Sequence, residues 1–331
     1  MSIIGASAVS RWPCAAVRGC DLNTAHPAIL PHLKPRHFLL ALVVVAIWGT
    51  NFVVIKEALA TLPPFLFATL RFSIAFLPAA FFLKRPAVPV SHLAIYGVLI
   101  GAGQFGVLYF AMNGFISPGL ASLVVQMQVF FTIGLAMLVS TGTRERVKLF
   151  QWLAAALAVG GLLIIIVHND GHTTPAGLAM VLFAALCWAS GNIVGRESAA
   201  QLPNINMLAY VVWSSVFAVP PLLVLSLIFE GIPTMTTALG SMQLSTWGAV
   251  AWQSVGNTLF GYAVWAWLLA RYPASTIAPL ALLVPVFGMS ASALYLSEPL
   301  PVWKLTAASL IMAGLAVNIL WPKWMGKNAK Q

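Results

Sequence analysis

The chain has 331 residues, of which 60% are hydrophobic and only 7% are charged. Soluble domains carry about 25% charged residues, so this composition excludes a soluble globular protein. The net charge of +10 would be consistent with binding to a polyanion such as a nucleic acid, but the 17 Lys and Arg are distributed as in a membrane protein. We therefore expect a lipid bilayer around the chain and no nucleic-acid partner.

Residues 1–36 differ from the rest of the chain, because they contain four prolines, four basic residues and no long apolar run. A cleaved signal peptide needs an apolar segment of its own, so we expect a disordered cytoplasmic tail here. Three cysteines, Cys14, Cys20 and Cys187, are too few and too badly placed for a disulfide framework or a zinc site. No metal and no cofactor is predicted.

From residue 37 onwards the chain contains ten apolar stretches. About 20 helical residues cross a hydrocarbon core about 30 Å thick, and the stretches do not alternate as barrel strands would. We therefore predict an all-α integral membrane protein with ten transmembrane helices. The predicted spans are 38–56, 65–83, 93–113, 119–140, 148–167, 176–195, 205–229, 246–270, 275–297 and 302–321.

The Lys and Arg residues predict the orientation, because short loops rich in them stay in the cytoplasm. With the N-terminus inside, only Lys56 and Lys304 lie near the outer face, and Arg71 lies within a span. The other basic residues fall on the cytoplasmic side: Arg11, Arg18, Lys34, Arg36, Lys84, Arg85, Arg144, Arg146, Lys148, Arg196, Arg271, Lys323, Lys327 and Lys330. Both termini are predicted to be cytoplasmic, with a basic tail at 323–331, in a cell inner (plasma) membrane.

The second half of the chain repeats the first. The matching pairs are Trp48 with Trp188, Lys56 with Arg196 and Glu57 with Glu197 at an offset of 140 residues, and Tyr109 with Tyr262 and Glu145 with Glu298 at an offset of 153. A unit with five spans inserts its copy upside down, so we predict two inverted five-helix repeats at 37–170 and 171–322. Inverted repeats are typical of secondary transporters, which hold substrate between the halves. The pattern thus predicts transport by alternating access.

Three short motifs carry a family resemblance: Trp-Gly-x-Asn at Trp48–Asn51, Leu-Arg-Phe at Leu70–Phe72, and a Pro- and Ala-rich stretch at 273–280. The chain resembles the EamA-type drug/metabolite transporter superfamily over about residues 37–321. This resemblance implies the drug/metabolite transporter fold and efflux of small metabolites. Longer stretches, such as P-G-L-A-S-L-V-V-Q-M-Q-V-F-F, are similar to exporters of cysteine and O-acetylserine in that superfamily.

Polar and aromatic side chains at membrane depth mark either a substrate path or helix packing. The candidate substrate-binding residues are Trp48, Asn51, Arg71, Gln104, Tyr109, Gln126, Trp188, Asn192, Asn257 and Tyr262. Gln128 and Gln253 add further neutral polarity. Because residues two apart on an α-helix point about 200° apart, at most one of Gln126 and Gln128 is expected to face a cavity.

Each of these interpretations has a structural alternative. Arg71 would bind a substrate carboxylate with its guanidinium, or else bind helix-end carbonyls or line a wet vestibule. Asn51 and Asn192 would hydrogen-bond substrate or join helices. The tryptophans would form cavity walls, with a cation–π surface, or belong to aromatic belts at the membrane surface.

Ionisable residues are missing from the span centres, since all seven Asp and Glu map to a tail, a loop or a helix end. Proton coupling usually uses an intramembrane carboxylate or His. We therefore expect a uniporter or gradient-driven exporter of neutral or zwitterionic solutes. The resemblance described above implies cysteine and O-acetylserine as the substrates. Glu57 is the only alternative for proton coupling.

Other functions are weighed against this prediction. An enzyme is not expected, because no catalytic cluster lies at membrane depth and no catalytic residue is assigned. A multidrug carrier of the same superfamily is one alternative, and a carrier of lipophilic cations would want a buried anion. A nucleotide-sugar or phosphate-ester carrier is another and would want several cations in its cavity, and a channel is an alternative on architecture alone. The expected partners are a small-molecule substrate and lipid, with the chain acting as a monomer or homodimer.

Overall fold

A computed structural model describes residues 33–139, 148–168, 173–202 and 205–328, without the side chains of 139, 274–275 and 322–328. Most of the predicted tail at 1–36 lies outside the described residues. The same holds for the residues Asp21, Arg144, Glu145, Arg146 and Asp170, so the match between Glu145 and Glu298 has no structural counterpart to compare.

The described residues form ten long helical segments, α1 to α10, and one short helix at Ile232–Gly240. The continuous segments are α1 Pro35–Ala58, α2 Pro64–Ala80, α5 Leu149–Val167, α6 Pro175–Gln201, α7 Met207–Phe229 and α10 Val302–Asn328; the interrupted ones are α3 at 90–112, α4 at 118–139, α8 at 244–269 and α9 at 274–295. All begin within a few residues of a predicted span. Proline at the first helical position, where no N–H is needed, fixes several of these starts.

Within the described ranges, eight helices are long and apolar enough to cross a membrane. The two others are α2, which has 17 residues, and α8, whose mean hydropathy is lowered by Gln253, Ser254, Asn257 and Thr258. The protein is thus an all-helical integral membrane protein, as predicted. The inverted ten-span topology stays a prediction.

The helices of the first half and those of the second half pack in equivalent ways. Helix α5 packs along α10, α2 along α7, and α4 against α9. The contact of α1 with α9 has a counterpart in that of α6 with α4, and the contact of α3 with α6 has one in that of α8 with α1. These contacts are therefore kept when each helix is exchanged with the helix five places along the chain, which is consistent with a duplicated five-helix unit.

Four helices are interrupted, α3, α4 and α8 within their central part and α9 near its start. In α3 and α8 the interruptions are π-helical, at Leu99–Gly106 and Trp252–Phe260, with hydrogen bonds that span five residues. In α4 and α9 they are 3₁₀-helical, at Val125–Met127 and Ala278–Leu282. Each interruption in the second half begins 153 residues after its counterpart (252 against 99, and 278 against 125), the second of the two offsets found in the sequence.

Candidate functional site

A cavity of about 990 Å³ lies between helices of both halves. Helices α1, α3 and α4 bound it from the first half, and α6 to α10 bound it from the second. Among the described residues, none that lines it is charged. Its polar and aromatic lining residues are Trp48, Asn51, Phe52, Tyr96, Gln104, Phe105, Gln126, Gln128, Trp188, Asn192, Asn206, Asn257, Tyr262 and Trp265.

Eight of the ten candidate substrate-binding residues line this cavity. They are Trp48, Asn51, Gln104, Gln126, Trp188, Asn192, Asn257 and Tyr262. The other two, Arg71 and Tyr109, do not line it and lie behind its wall. Direct contact between Arg71 and a substrate in this cavity is therefore not what the geometry offers.

The expectation for α4 is wrong in one respect, because both Gln126 and Gln128 line the cavity. The reason is the 3₁₀ turn at Val125–Met127. With 3.0 residues per turn, residues two apart point about 120° apart by the shorter way round, against about 160° in an α-helix. The wide cavity then admits both side chains.

Asn192 makes hydrogen bonds between helices, which is the kind of contact that its structural alternative predicts. Its Nδ2 donates to Oε1 of Gln128 at 3.0 Å and to Oγ1 of Thr132 at 3.4 Å. These bonds join α6 to α4 across the two halves at the cavity wall. Asn192 and Gln128 therefore link two helices and also line the cavity.

An aromatic wall forms where α1 meets α8. The indole N–H of Trp48 donates to the backbone carbonyl of Asn257 at 3.2 Å. The Trp48 ring lies 5.8 Å from that of Tyr262 and 5.1 Å from that of Trp265, measured between centroids. Gly261 makes this approach possible, since a Cβ there would lie 2.5 Å from Nε1 of Trp48. Such a wall offers a surface for an ammonium group or for apolar parts of a substrate.

Behind the wall, Arg71 is 1% exposed. Its Nη1 donates to the hydroxyl of Tyr109 at 2.7 Å, and its Nη2 donates to Oγ1 of Thr258 at 3.1 Å. The guanidinium carbon lies 3.7 Å from the centroid of Phe105, which lines the cavity. Within the described part of the chain, the ion pair found does not involve Arg71, and its Nε has no hydrogen-bond partner.

The polar network continues from Arg71 to the cavity. The Tyr109 hydroxyl donates to Oε1 of Gln253 at 3.0 Å, and Nε2 of Gln253 donates to Oδ1 of Asn51 at 2.7 Å. The π-helical turn of α8 makes this possible, because residues five apart then lie one above the other, whereas they point about 140° apart on an α-helix. Gln253 and Thr258 therefore share one face, and Oγ1 of Thr258 donates to the backbone carbonyl of Gln253.

The cavity extends to one end of the molecule, which we name the open end. There it is lined by Asn206 at the start of α7, by Ala270 after α8 and by Ile319 on α10. This is also the end that carries Lys34, Lys84, Arg85, Arg196 and Arg271, the basic residues that predict the cytoplasmic side.

Two carboxylates close the opposite end, which we name the closed end. Glu230, just after α7, accepts the backbone N–H groups of Phe65 and Leu66 at 2.6 and 3.0 Å. These are the free donors in the first turn of α2, where the helix dipole favours an anion. Phe65 also stacks on Phe110 and contacts Phe229, so this end is both bonded and apolar.

Glu298, just after α9, accepts hydrogen bonds at the start of α4 in the same way. It accepts from the backbone N–H of Gly119 at 2.9 Å and from the hydroxyl of Ser117 at 2.5 Å. Nζ of Lys304 lies 3.1 Å from Oε1 of Glu298, and both side chains are buried. We refer to the contacts of Glu230 and Glu298 together as the carboxylate caps.

Glu57, the alternative for proton coupling, lies exposed at the end of α1. It is far along the helix from Trp48 and does not line the cavity. The geometry gives it no contact with a substrate in this state.

Comparison with known proteins identifies the family. The model of the EamA-like transporter family matches residues 36–167 and 175–320, which together make up most of the chain. The chain belongs to the EamA-like transporter family.

Relatives of this EamA-like chain are named as efflux pumps. A probable amino-acid metabolite efflux pump of Salmonella typhimurium is 41% identical over 282 residues, which cover 85% of this chain and 93% of the relative. A protein of the same name from Escherichia coli is 40% identical over 288 residues, with 86% and 95% covered. A crystal structure matches with a TM-score of 0.58 at 17% identity, covering 88% of this chain and 99% of the other; this likeness concerns the fold alone.

The EamA-like chain is thus a multi-pass membrane transporter of small molecules and not an enzyme. Sequence reasoning left four aromatic residues of the cavity lining out of the candidate set, namely Phe52, Tyr96, Phe105 and Trp265. It also did not select Gln253, which joins Arg71 to the cavity. The available signal was the polar run at 253–258 within an otherwise apolar segment.

Proposed function

We propose that the chain exports neutral or zwitterionic amino-acid metabolites by alternating access, with cysteine and O-acetylserine as its substrates. The observation that carries this proposal is the cavity between the halves, lined by amides and aromatic rings without a charged side chain among the described residues. Two relatives named as probable amino-acid metabolite efflux pumps support the substrate class.

The chemistry of the lining suits such a cargo. Asn51, Gln104 and Asn257 offer hydrogen bonds to a carboxylate and an ammonium, and the ring of Trp48 offers a face to the ammonium. The volume of about 990 Å³ is ample for a small amino acid and accompanying water. A nucleotide-sugar or phosphate-ester cargo is less well served, because no described cation lines the cavity to balance its charge.

Alternating access is supported by the asymmetry of the two ends. The cavity reaches the open end, while the carboxylate caps and the phenylalanines close the other. We propose that the open end faces the cytoplasm of an inner membrane, as the basic residues predict. Export then requires the caps to separate and the open end to close around the loaded site.

The experiment that tests this function is transport of radiolabelled cysteine and O-acetylserine in proteoliposomes. We expect saturable uptake without a pH gradient, and the Ala281→Trp variant should lower it about tenfold or more because an indole would fill the cavity. Ala156→Trp is the matched control, since Ala156 is exposed on α5 away from the cavity. Wild-type protein that moves neither compound would overturn the proposed substrates.

A further inference from the structure

We propose that Arg71 is a positioning residue that acts through Tyr109 and Gln253 to turn the amide N–H₂ of Asn51 towards the cavity, where it forms the subsite for the substrate's carboxylate. The inference rests on the proposed function and adds the group of the substrate that is recognised. It also gives Arg71 a role that needs no direct contact with substrate.

The first step is the continuity of the network. Arg71, Tyr109, Gln253 and Asn51 are each buried, and consecutive members are joined by hydrogen bonds of 2.7, 3.0 and 2.7 Å. The four residues come from α2, α3, α8 and α1 respectively. Only the last of them lines the cavity.

The second step is the direction of these bonds. A guanidinium has donors and no acceptor, so the Tyr109 oxygen must accept from Arg71. The single hydroxyl proton of Tyr109 is then given to Gln253, which must present its Oε1. The other end of the Gln253 amide is a donor, so Asn51 must present Oδ1 to it.

The third step is what remains for the substrate. With Oδ1 of Asn51 occupied, its Nδ2 is left, and this atom has no hydrogen bond within the described residues. The cavity therefore meets a donor at Asn51, and a donor recognises an acceptor such as a carboxylate. An Asn without this network could turn either end of its amide to the cavity.

The charge of Arg71 acts in the same sense. Buried hydrogen-bond chains polarise one another in a medium of low dielectric constant, so the guanidinium makes the distant N–H₂ a better donor. Phe105 lies between the guanidinium and the cavity. Its ring prevents direct contact between Arg71 and a substrate, but the electric field of the guanidinium still acts on the cavity. Gln104, next in sequence, also lines the cavity, and its buried Oε1 has no partner among the described residues.

The test compares cysteine with cysteine amide, which keeps the ammonium and thiol but lacks the carboxylate. Tyr109→Phe interrupts the network and leaves the charge of Arg71 in place. We expect the KM and Kd for cysteine to rise about tenfold, as for loss of one oriented hydrogen bond, with kcat little changed. The Kd for cysteine amide should stay the same.

Gln253→Glu is the second variant, because an ionised carboxylate cannot donate to Asn51 and would turn its amide round. We expect the same loss of preference for cysteine over its amide. The matched control is Thr258→Val, which removes a different hydrogen bond of Arg71 and should leave the preference intact. Size-exclusion chromatography and thermal unfolding verify that each variant folds.

The outcomes separate the two proposals. If wild-type protein neither binds nor moves cysteine, the proposed function fails and this inference with it. If wild-type protein transports cysteine but Tyr109→Phe and Gln253→Glu weaken the binding of cysteine and of cysteine amide equally, the network is only structural. The inference is also overturned if neither variant changes either affinity.

Discussion

Trp48 shows how one residue depends on the absence of a side chain elsewhere. Its indole donates to the carbonyl of Asn257 and packs against Tyr262 and Trp265, and the space for it exists because residue 261 is glycine. The contact joins α1 to α8 at the edge of the cavity. The indole position is therefore set from both helices.

Gly261→Ala is predicted to push Trp48 out of this position, since the new Cβ would lie 2.5 Å from Nε1. The KM for substrate should rise, by about tenfold if one hydrogen bond and the aromatic contact are lost, and tryptophan fluorescence should shift. Gly256→Ala in the same helix is the control, because its Cβ would meet ordinary contacts at 3.5 Å. An unchanged KM in Gly261→Ala would mean that the indole does not shape the site.

At the scale of the element, the close approach of α3 to α7 depends on two glycines. A Cβ at Gly97 would overlap the carbonyl of Ser214, and one at Gly101 would overlap the Cβ of Ala218. These are backbone and Cβ atoms, which cannot swing aside as the end of a long side chain can. Glycine thus sets the distance between the two helices.

Gly101→Ala is accordingly expected to destabilise the protein by about 1–3 kcal/mol through overpacking. The measurement is thermal unfolding in detergent beside wild-type protein. Gly134→Ala in α4 is the control, since a Cβ there meets nothing within 4 Å and alanine favours a helix. Equal melting temperatures for Gly101→Ala and wild type would contradict the packing argument.

Elements also set the limit of what sequence reasoning finds. Apolar runs predicted the helices, and amides, paired tryptophans and Tyr262 within the spans predicted eight residues of the cavity lining. The π-helical turn in α8 and the 3₁₀ turn in α4 were not predicted, because local hydrogen-bond registers depend on tertiary contacts. Gln128 and Gln253 were therefore not selected as candidate site residues. Arg71 was selected by its depth along the helix, and depth does not determine the direction in which a side chain points.

At the scale of the whole molecule, the carboxylate caps hold the closed end. Each cap joins the start of a helix in the first half to a loop of the second half. Separation of the two halves at this end would therefore break the cap. The sequence placed Glu230 and Glu298 at helix ends. Their partners Phe65 and Gly119 are more than 160 residues away in the chain, which no local pattern discloses.

Glu298→Gln is predicted to favour opening of the closed end. A hydrogen bond to a charged group contributes about 1.5–3 kcal/mol, so losing one state's cap would shift the equilibrium between states about tenfold or more. The measurement is labelling of Ile55→Cys, in a chain whose native cysteines are serine, by an impermeant maleimide added at the closed end. Ile55 lines the cavity and is buried, so its labelling should accelerate.

Glu57→Gln is the control for this change, because Glu57 is an exposed carboxylate outside the caps. It should label at the wild-type rate and also transport at the wild-type rate, with or without a pH gradient. Acceleration by Glu57→Gln as large as that by Glu298→Gln would show a general charge effect. Loss of transport in Glu57→Gln would point to proton coupling instead.

The caps and the cavity lining have no residue in common. Glu230, Glu298 and Lys304 lie at one end, in or beside short loops, whereas the polar and aromatic residues that line the cavity lie at mid-span or towards the open end. We therefore expect mutations in the caps to change the equilibrium between states without changing the substrate, and mutations in the lining to do the reverse. In a lineage that acquires a new substrate, we thus expect substitutions in the middle of the helices, while the loops that control the switch between states stay the same.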